Sequence, residues 1–289
     1  MAGSTPTPQS PTSNIGARAR AFLQASVARL RRRLPRRIAG SALALRLDLI
    51  GQGAAIRPRQ PGPVWRSWAN TVLQTREDVD LAVREVAACG LAPHADRPKN
   101  WDRLIALGAI LERFPRDAAI LDAGSTLSSK LLPWLYLYGY RRLHGVDLTY
   151  ENPIRRGSIR YERMDLTRTT FPDESFDAIA CLSVIEHGVP LDAYVREATR
   201  LLRPGGLLIT STDFWCEPVS TGGQEAYGVP IKIFTPGEIE KCVALAAEAG
   251  LRLTGPLTLD CTDRVVNWSR FGLDYTFVNF VLEKPRSTS

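Results

Sequence analysis

Four short stretches of this chain end in acidic or small polar residues at a spacing that a parallel sheet would gather. They are Ile120-Leu121-Asp122-Ala123-Gly124-Ser125, Gly145-Val146-Asp147-Leu148, Met164-Asp165-Leu166, and a segment from Ser175 that closes on Leu182-Ser183-Val184-Ile185-Glu186-His187. Each is an apolar, strand-like run, so each delivers a side chain to the carboxyl edge of a sheet, where open α/β folds bind ligands. Together they predict one nucleotide-like pocket. Asp147 follows Asp122 by 25 residues, and a carboxylate there can accept both hydroxyls of a ribose without choosing the cofactor. His187 titrates near neutrality and is the candidate proton acceptor, with Glu186 beside it; an orienting role for the pair stays open.

The elements that would position these residues alternate. Strands are expected near 118–122, 142–146, 158–164, 176–182, 206–212, 251–259 and 274–283, and helices near 127–138, 190–202 and 235–249. This order predicts an α/β, Rossmann-like, seven-stranded, mostly parallel sheet with helices on both faces. Arg203-Pro204-Gly205-Gly206 reads as the turn between a helix and the fifth strand. Ahead of the sheet, 67–89 and 100–113 read as helices, and Trp65, Trp68 and Trp101 are either core or pocket lining.

With those motifs quoted, residues 118 to about 283 resemble a class I S-adenosylmethionine-dependent methyltransferase of the broad small-molecule, type 11-like family. The resemblance implies S-adenosylmethionine as cofactor. It assigns Asp122 to the cofactor's amino group and Gly124 to a close backbone approach at its methionine part. Asp147 would take the ribose and Asp165 the adenine amino group, with Leu148 and Leu166 sandwiching the ring. The backbone of Leu182 and Ser183 would touch the methionine part, and Glu186-His187 would face the acceptor. The family usually carries two or three glycines after the first strand; here Ser125-Thr126-Leu127-Ser128-Ser129 follows Gly124, and serine hydroxyls can replace those contacts. Some relatives hold a metal through Glu-x-x-Glu-His, but Ser183 stands at the first of those positions, so no metal is expected. The long aromatic connection holding Phe214, Trp215 and Tyr227 is expected to close over the acceptor. Its Thr212-Asp213-Phe214-Trp215 run is similar to methyltransferases of glycan and natural-product pathways, which points to a sugar or secondary-metabolite oxygen. The competing readings are a catalytically inactive binding or scaffold protein on the same fold and an NAD-dependent oxidoreductase.

The 289 residues carry a net charge of +7, yet nine arginines and no acid lie in residues 1–47, leaving 28 basic against 30 acidic side chains beyond them. The catalytic region is therefore no polyanion surface, which speaks against nucleic acid and for a small-molecule acceptor. Residues 1–16 read as a disordered tail and 17–63 as a basic amphipathic segment with a linker. A helix from Ala17 to Leu34 could contact a membrane surface or a protein through residues 17–37. Residues 64–117 form a helical lid or cap region and 118–285 the catalytic domain. Oligomeric state is not legible. Five scattered cysteines suggest neither zinc site nor disulfide, and a cytoplasmic protein, peripheral at most to a membrane, is expected.

Overall fold

The computed structural model describes residues 40–286; the tail and the basic helix expected over residues 1–39 lie outside them. Before the sheet come α1 (Ala42–Gly51), α2 (Val64–Trp68), α3 (Arg76–Ala88) and α4 (Lys99–Arg113). The sheet domain then runs β1 (Ala119–Ala123), α5 (Leu131–Leu137), β2 (Arg142–Asp147), β3 (Ile154–Arg156), β4 (Ile159–Arg163), β5 (Phe176–Leu182), α6 (Leu191–Leu201) and β6 (Leu202–Phe214). It ends with β7 (Glu225–Ala226), β8 (Val229–Pro230), α7 (Pro236–Glu248), β9 (Arg252–Leu253), β10 (Val266–Trp268) and β11 (Leu273–Glu283).

The sheet is α/β and mostly parallel in its centre, ordered β10-β11-β6-β5-β1-β2-β4-β3, with β9 also on β11. Strands β4, β2, β1, β5 and β6 pair in parallel, and β11 returns antiparallel to β6. Chain order reverses at β1, which has β2 on one side and β5 on the other, and that reversal opens a crevice at their carboxyl ends. Among the described residues the large sheet thus has nine strands where seven were expected, and β7 and β8 pair apart from it. The two additions are β3, folded back antiparallel on β4, and β10, paired to β11.

Three local expectations change. The single helix over 67–89 is two, because Thr71-Val72-Leu73 runs extended along β11, with Leu73 N donating to Phe277 O, before the Thr75–Asp78 capping box starts α3. Residues 251–259 give only β9; Gly255-Pro256 follows, and Pro cannot sustain a ladder. Arg203-Pro204-Gly205-Gly206 lies within β6 as an irregular start, the register passing from Phe176 opposite Leu202 to Ala178 opposite Leu207. Helix α1 was not foreseen; its Leu45 and Leu49 are buried in the main core.

Trp65, Trp68 and Trp101 are core, at 9%, 8% and 0% exposure, which settles their alternative. Gly108 of α4 makes the contact possible, since a Cβ there would lie 2.4 Å from the Trp65 ring. The cysteine expectation is corrected: Cys216 and Cys261 form a disulfide. Their separation of 45 residues gave no pair motif to read. No helix among the described residues is long and apolar enough to cross a membrane.

Candidate active site

The carboxyl ends of β1, β2 and β5 converge as their parallel pairing requires. The loop after β1 is pinned to β2: Gly124 N and Ser125 N both donate to Val146 O, at 2.7 and 3.0 Å. Gly124 has φ +81°, and a Cβ there would sit 2.3 Å from Val184 Cγ2. Glycine is thus required by the packing of the post-β5 loop as well as by backbone conformation. Asp122 is 5% exposed, and burial pushes its carboxyl up to about 6.

Asp147 and Asp165 stand in identical Asp-Leu-Thr turns. In each, one carboxylate oxygen accepts from the backbone N–H and the hydroxyl of the threonine two residues on. The distances are 2.8 and 2.6 Å at Asp147, and 2.8 and 2.7 Å at Asp165. The turn fixes the carboxylate through one oxygen, and no hydrogen bond among the described residues takes the second. Leu148 is 61% exposed, unusual for so large an apolar side chain, while Leu166 is half-buried.

At the end of β5 the chain turns sharply. Ser183 adopts φ +57°, its N–H donates to Ser211 O at 3.0 Å, and His187 N donates to Val184 O at 3.0 Å. The hydroxyls of Ser125 and Ser183 are buried and without partner. Such groups are rare in native interiors, and a polar ligand is one way they are satisfied.

Beyond this turn lies a cavity of about 290 Å³ lined by Lys99, Glu186, His187, Asp213, Tyr227, Trp268 and Tyr275 among others. Thr212 Oγ1 donates to Glu186 Oε2 at 2.9 Å. Burial pushes Glu186 up to about 7, and burial followed by the repulsion of Glu186 holds Asp213 well above the usual carboxylate range. Both acids therefore enter the neutral range able to carry a proton. His187 moves the other way: burial lowers its pKa, keeping the ring neutral and able to accept a proton, and Tyr227 meets it edge-on at 5.1 Å.

Sequence reasoning brought together Asp122, Gly124, Ser125, Asp147, Leu148, Leu182, Ser183, Glu186 and His187 along this crevice, with Asp165 and Leu166 at the tip beyond β4. It missed Asp213, Lys99, Trp268 and Tyr275. It also missed a buried ion pair on α4, where Arg103 Nη1 donates to Asp102 Oδ1 at 3.0 Å while Ser211 Oγ donates to Asp102 Oδ2 at 2.7 Å. The one available signal was charge inside an otherwise apolar helix. Phe214, expected over the acceptor, plugs the core at 0% exposure, and Trp215 stacks under Arg264 instead. Among the described residues no group of three or more histidines, cysteines or acids gathers around a metal-sized space.

The family described as "Methyltransferase domain" matches residues 121–210. Ubiquinone biosynthesis O-methyltransferases from two strains of Xanthomonas oryzae pv. oryzae are each 35% identical over 71 residues, which is 25% of this chain and 27% of theirs. The chain therefore matches about a quarter of the length of these curated relatives. Among solved structures, an S-adenosylmethionine-dependent methyltransferase from Mesorhizobium loti aligns with TM-score 0.45 and 19% identity, covering 63% of this chain and 97% of that one. The 1,6-didemethyltoxoflavin-N1-methyltransferase of Burkholderia thailandensis aligns with TM-score 0.41 and 16% identity, covering 97% and 93%.

Proposed function

We propose that this chain, whose residues 121–210 match a methyltransferase domain, is a class I S-adenosylmethionine-dependent methyltransferase that methylates an oxygen of a small polar acceptor held in the cavity beside His187. The observation that carries this reading is the continuity of the turn after β5. Leu182 and Ser183 edge the crevice between the strand tips, and four residues later His187 lines the cavity. A donor group bound at the first and an acceptor bound at the second would meet across one backbone segment. The partly matching O-methyltransferases favour oxygen as the atom methylated.

The residues present fit the cofactor. Asp147 offers its free oxygen to ribose hydroxyls and Asp165 offers its own to the adenine amino group, with Leu148 and Leu166 as apolar flanks. Asp122 and the unpartnered hydroxyls of Ser125 and Ser183 suit the amino-acid end. S-adenosylmethionine, when bound, supplies a methyl already activated by its sulfonium. The protein's work is then alignment, because an in-line displacement gains most from holding its reactants in place. His187, neutral, takes the proton of the acceptor hydroxyl, and Glu186 and Asp213 offer hydrogen bonds to neighbouring polar groups of the acceptor.

Calorimetric titration with S-adenosylmethionine and, separately, NADH tests the cofactor, and labelled-methyl transfer to hydroxylated small molecules tests the reaction. His187→Ala is expected to lower turnover about 10²-fold or more, the usual range for a lost general base, with cofactor affinity unmoved. A folded variant with undiminished turnover would remove His187 from the role of base.

A further inference from the structure

At the opposite, amino-terminal side of the sheet lies a cavity of about 260 Å³ lined by Arg141, Arg142, His144, Arg155, Ser158 and Arg160. Its composition follows from strand geometry. Side chains two residues apart on a strand share a face, so Arg142 and His144 of β2 point together, as do Ser158 and Arg160 at the start of β4. In the parallel register His144 stands opposite Arg160, and in the antiparallel register Arg155 of β3 also stands opposite Arg160. The five side chains therefore crowd one face at the sheet's edge. Parallel strands are normally covered on both faces. Here a hairpin strand and a loop, not helices, follow β2 and β4, and beside the Phe171 and Phe176 rings that meet His144 edge-on the face keeps this cavity.

Two guanidiniums directly across a strand pair repel one another, and among the described residues no acid forms a salt bridge with them, although Glu162 is near enough to act on the His144 ring. Nine other arginines among the described residues form salt bridges, whereas none of these four does. Glu162, two positions along β4, bridges to none of them. Arg141 is held instead by Tyr136 O at 2.9 Å and Tyr140 O at 2.8 Å, and Arg155 by Gly157 O at 3.0 Å, so both heads are oriented before any ligand arrives. Arg142 and Arg160 have no side-chain partner among the described residues. A second, independent observation concerns the floor of the cavity. Ser158 Oγ and His144 Nδ1 are buried and unpartnered, the same signature that Ser125 and Ser183 carry at the cofactor crevice.

We propose that this cavity is a second ligand site, specific for a phosphate-class anion of a soluble small molecule. Guanidiniums match the geometry of phosphate oxygens through paired N–H donors, and a buried hydroxyl and an imidazole N–H complete the shell. Lying across the sheet from the crevice, the site is separate from the cofactor's and does not depend on the methyl-transfer reading.

The test is calorimetric titration of the full chain with inorganic pyrophosphate at low ionic strength, on the wild type and on Arg142→Gln, Arg160→Gln and the double variant. One saturable site is expected, with affinity falling about tenfold or more in each single variant, as charge-assisted hydrogen bonds are lost. Because the replaced charges repel their neighbours, the variants without ligand should melt no lower than wild type. A lower melting temperature would assign the arginines to structure and overturn the proposal. So would the absence of saturable binding, or binding retained by the double variant, which would place the anion elsewhere on this basic chain. Vesicles containing phosphatidate form the second arm. Sedimentation with them that the double variant loses, without pyrophosphate affinity in the wild type, would overturn the soluble ligand in favour of a lipid headgroup.

Discussion

The cofactor crevice and the acceptor cavity share the turn from Leu182 to His187 but are assembled in different ways. Crevice residues sit at the ends of successive strands, each within one short motif between Asp122 and Ser183. The cavity draws on segments far apart in the chain: Lys99 on α4, Asp213 on β6, Tyr227 in a hairpin turn, Trp268 on β10 and Tyr275 on β11. Local backbone geometry makes the first, and tertiary closure makes the second. Changes at strand tips should therefore act on cofactor affinity, and changes in the late loops on the acceptor.

The largest expected effect tests the acceptor side. The Cys216–Cys261 disulfide ties the start of the connection after β6 to the irregular segment before β10, and both flank the cavity. Closing a loop of 45 residues is worth roughly 4 kcal/mol of stability on chain-entropy grounds. The Cys216→Ser/Cys261→Ser variant should lose stability on that order in denaturant titration and raise the acceptor KM. S-adenosylmethionine affinity should hold. An equal loss at both sites would break the division between them.

On the cofactor side, Gly124→Ala should cost about 3 kcal/mol, combining a positive φ with a methyl forced against Val184. Adding Val184→Ala should restore part of the loss by relieving the contact at 2.3 Å. Melting curves of the single and double variants separate strain from packing: no recovery would leave backbone conformation as the whole cause.

Next come the twin turns. Asp147 is half-buried and Asp165 exposed, so a hydrogen bond from a ligand is better shielded from water at Asp147. Asp147→Ala is expected to weaken S-adenosylmethionine binding by about 2 kcal/mol, and Asp165→Ala by less. Equal losses would mean that the ribose and adenine ends contribute alike and that burial does not rank them.

The same contrast explains what could be read before the structure was in hand. Strands β1, β2 and β5 and the polar residues at their tips were legible because an apolar run ending in Asp or Ser is a local pattern, and strand β5 was bounded at Phe176 and Leu182 as expected. Asp213 was quoted within its motif yet not recognised as a site residue, since its significance depends on Glu186 arriving beside it from the turn after β5 and Tyr275 from β11. The disulfide partners, the arginine face and the extended Thr71-Val72-Leu73 segment were invisible for the same reason: each is defined by pairing across the fold. Phe214 shows the converse, an aromatic whose surroundings, not its type, decide between pocket and core.

The smallest effect is the most diagnostic, because it follows from pH alone. Glu186 rises from an ordinary 4.5 to about 7 on burial, so the folded protein holds a proton that the unfolded chain releases. Stability from this group is complete below about pH 4.5 and is lost as pH climbs through 7, at up to about 1.4 kcal/mol per unit. Asp213, also raised, adds a slope of the same sign, whereas on the crevice side Asp122 rises only to about 6. Both acids contribute to the decline between about pH 4.5 and 6, so Glu186→Gln should flatten it up to about pH 7 and Asp122→Asn only up to about pH 6. Denaturant titrations across pH 4–8 would resolve the two windows. If Asp122→Asn also flattened the decline between about pH 6 and 7, where Glu186 and not Asp122 should act, the crevice and cavity acids would be titrating as one cluster, and the boundary drawn at Ser183 would have to move.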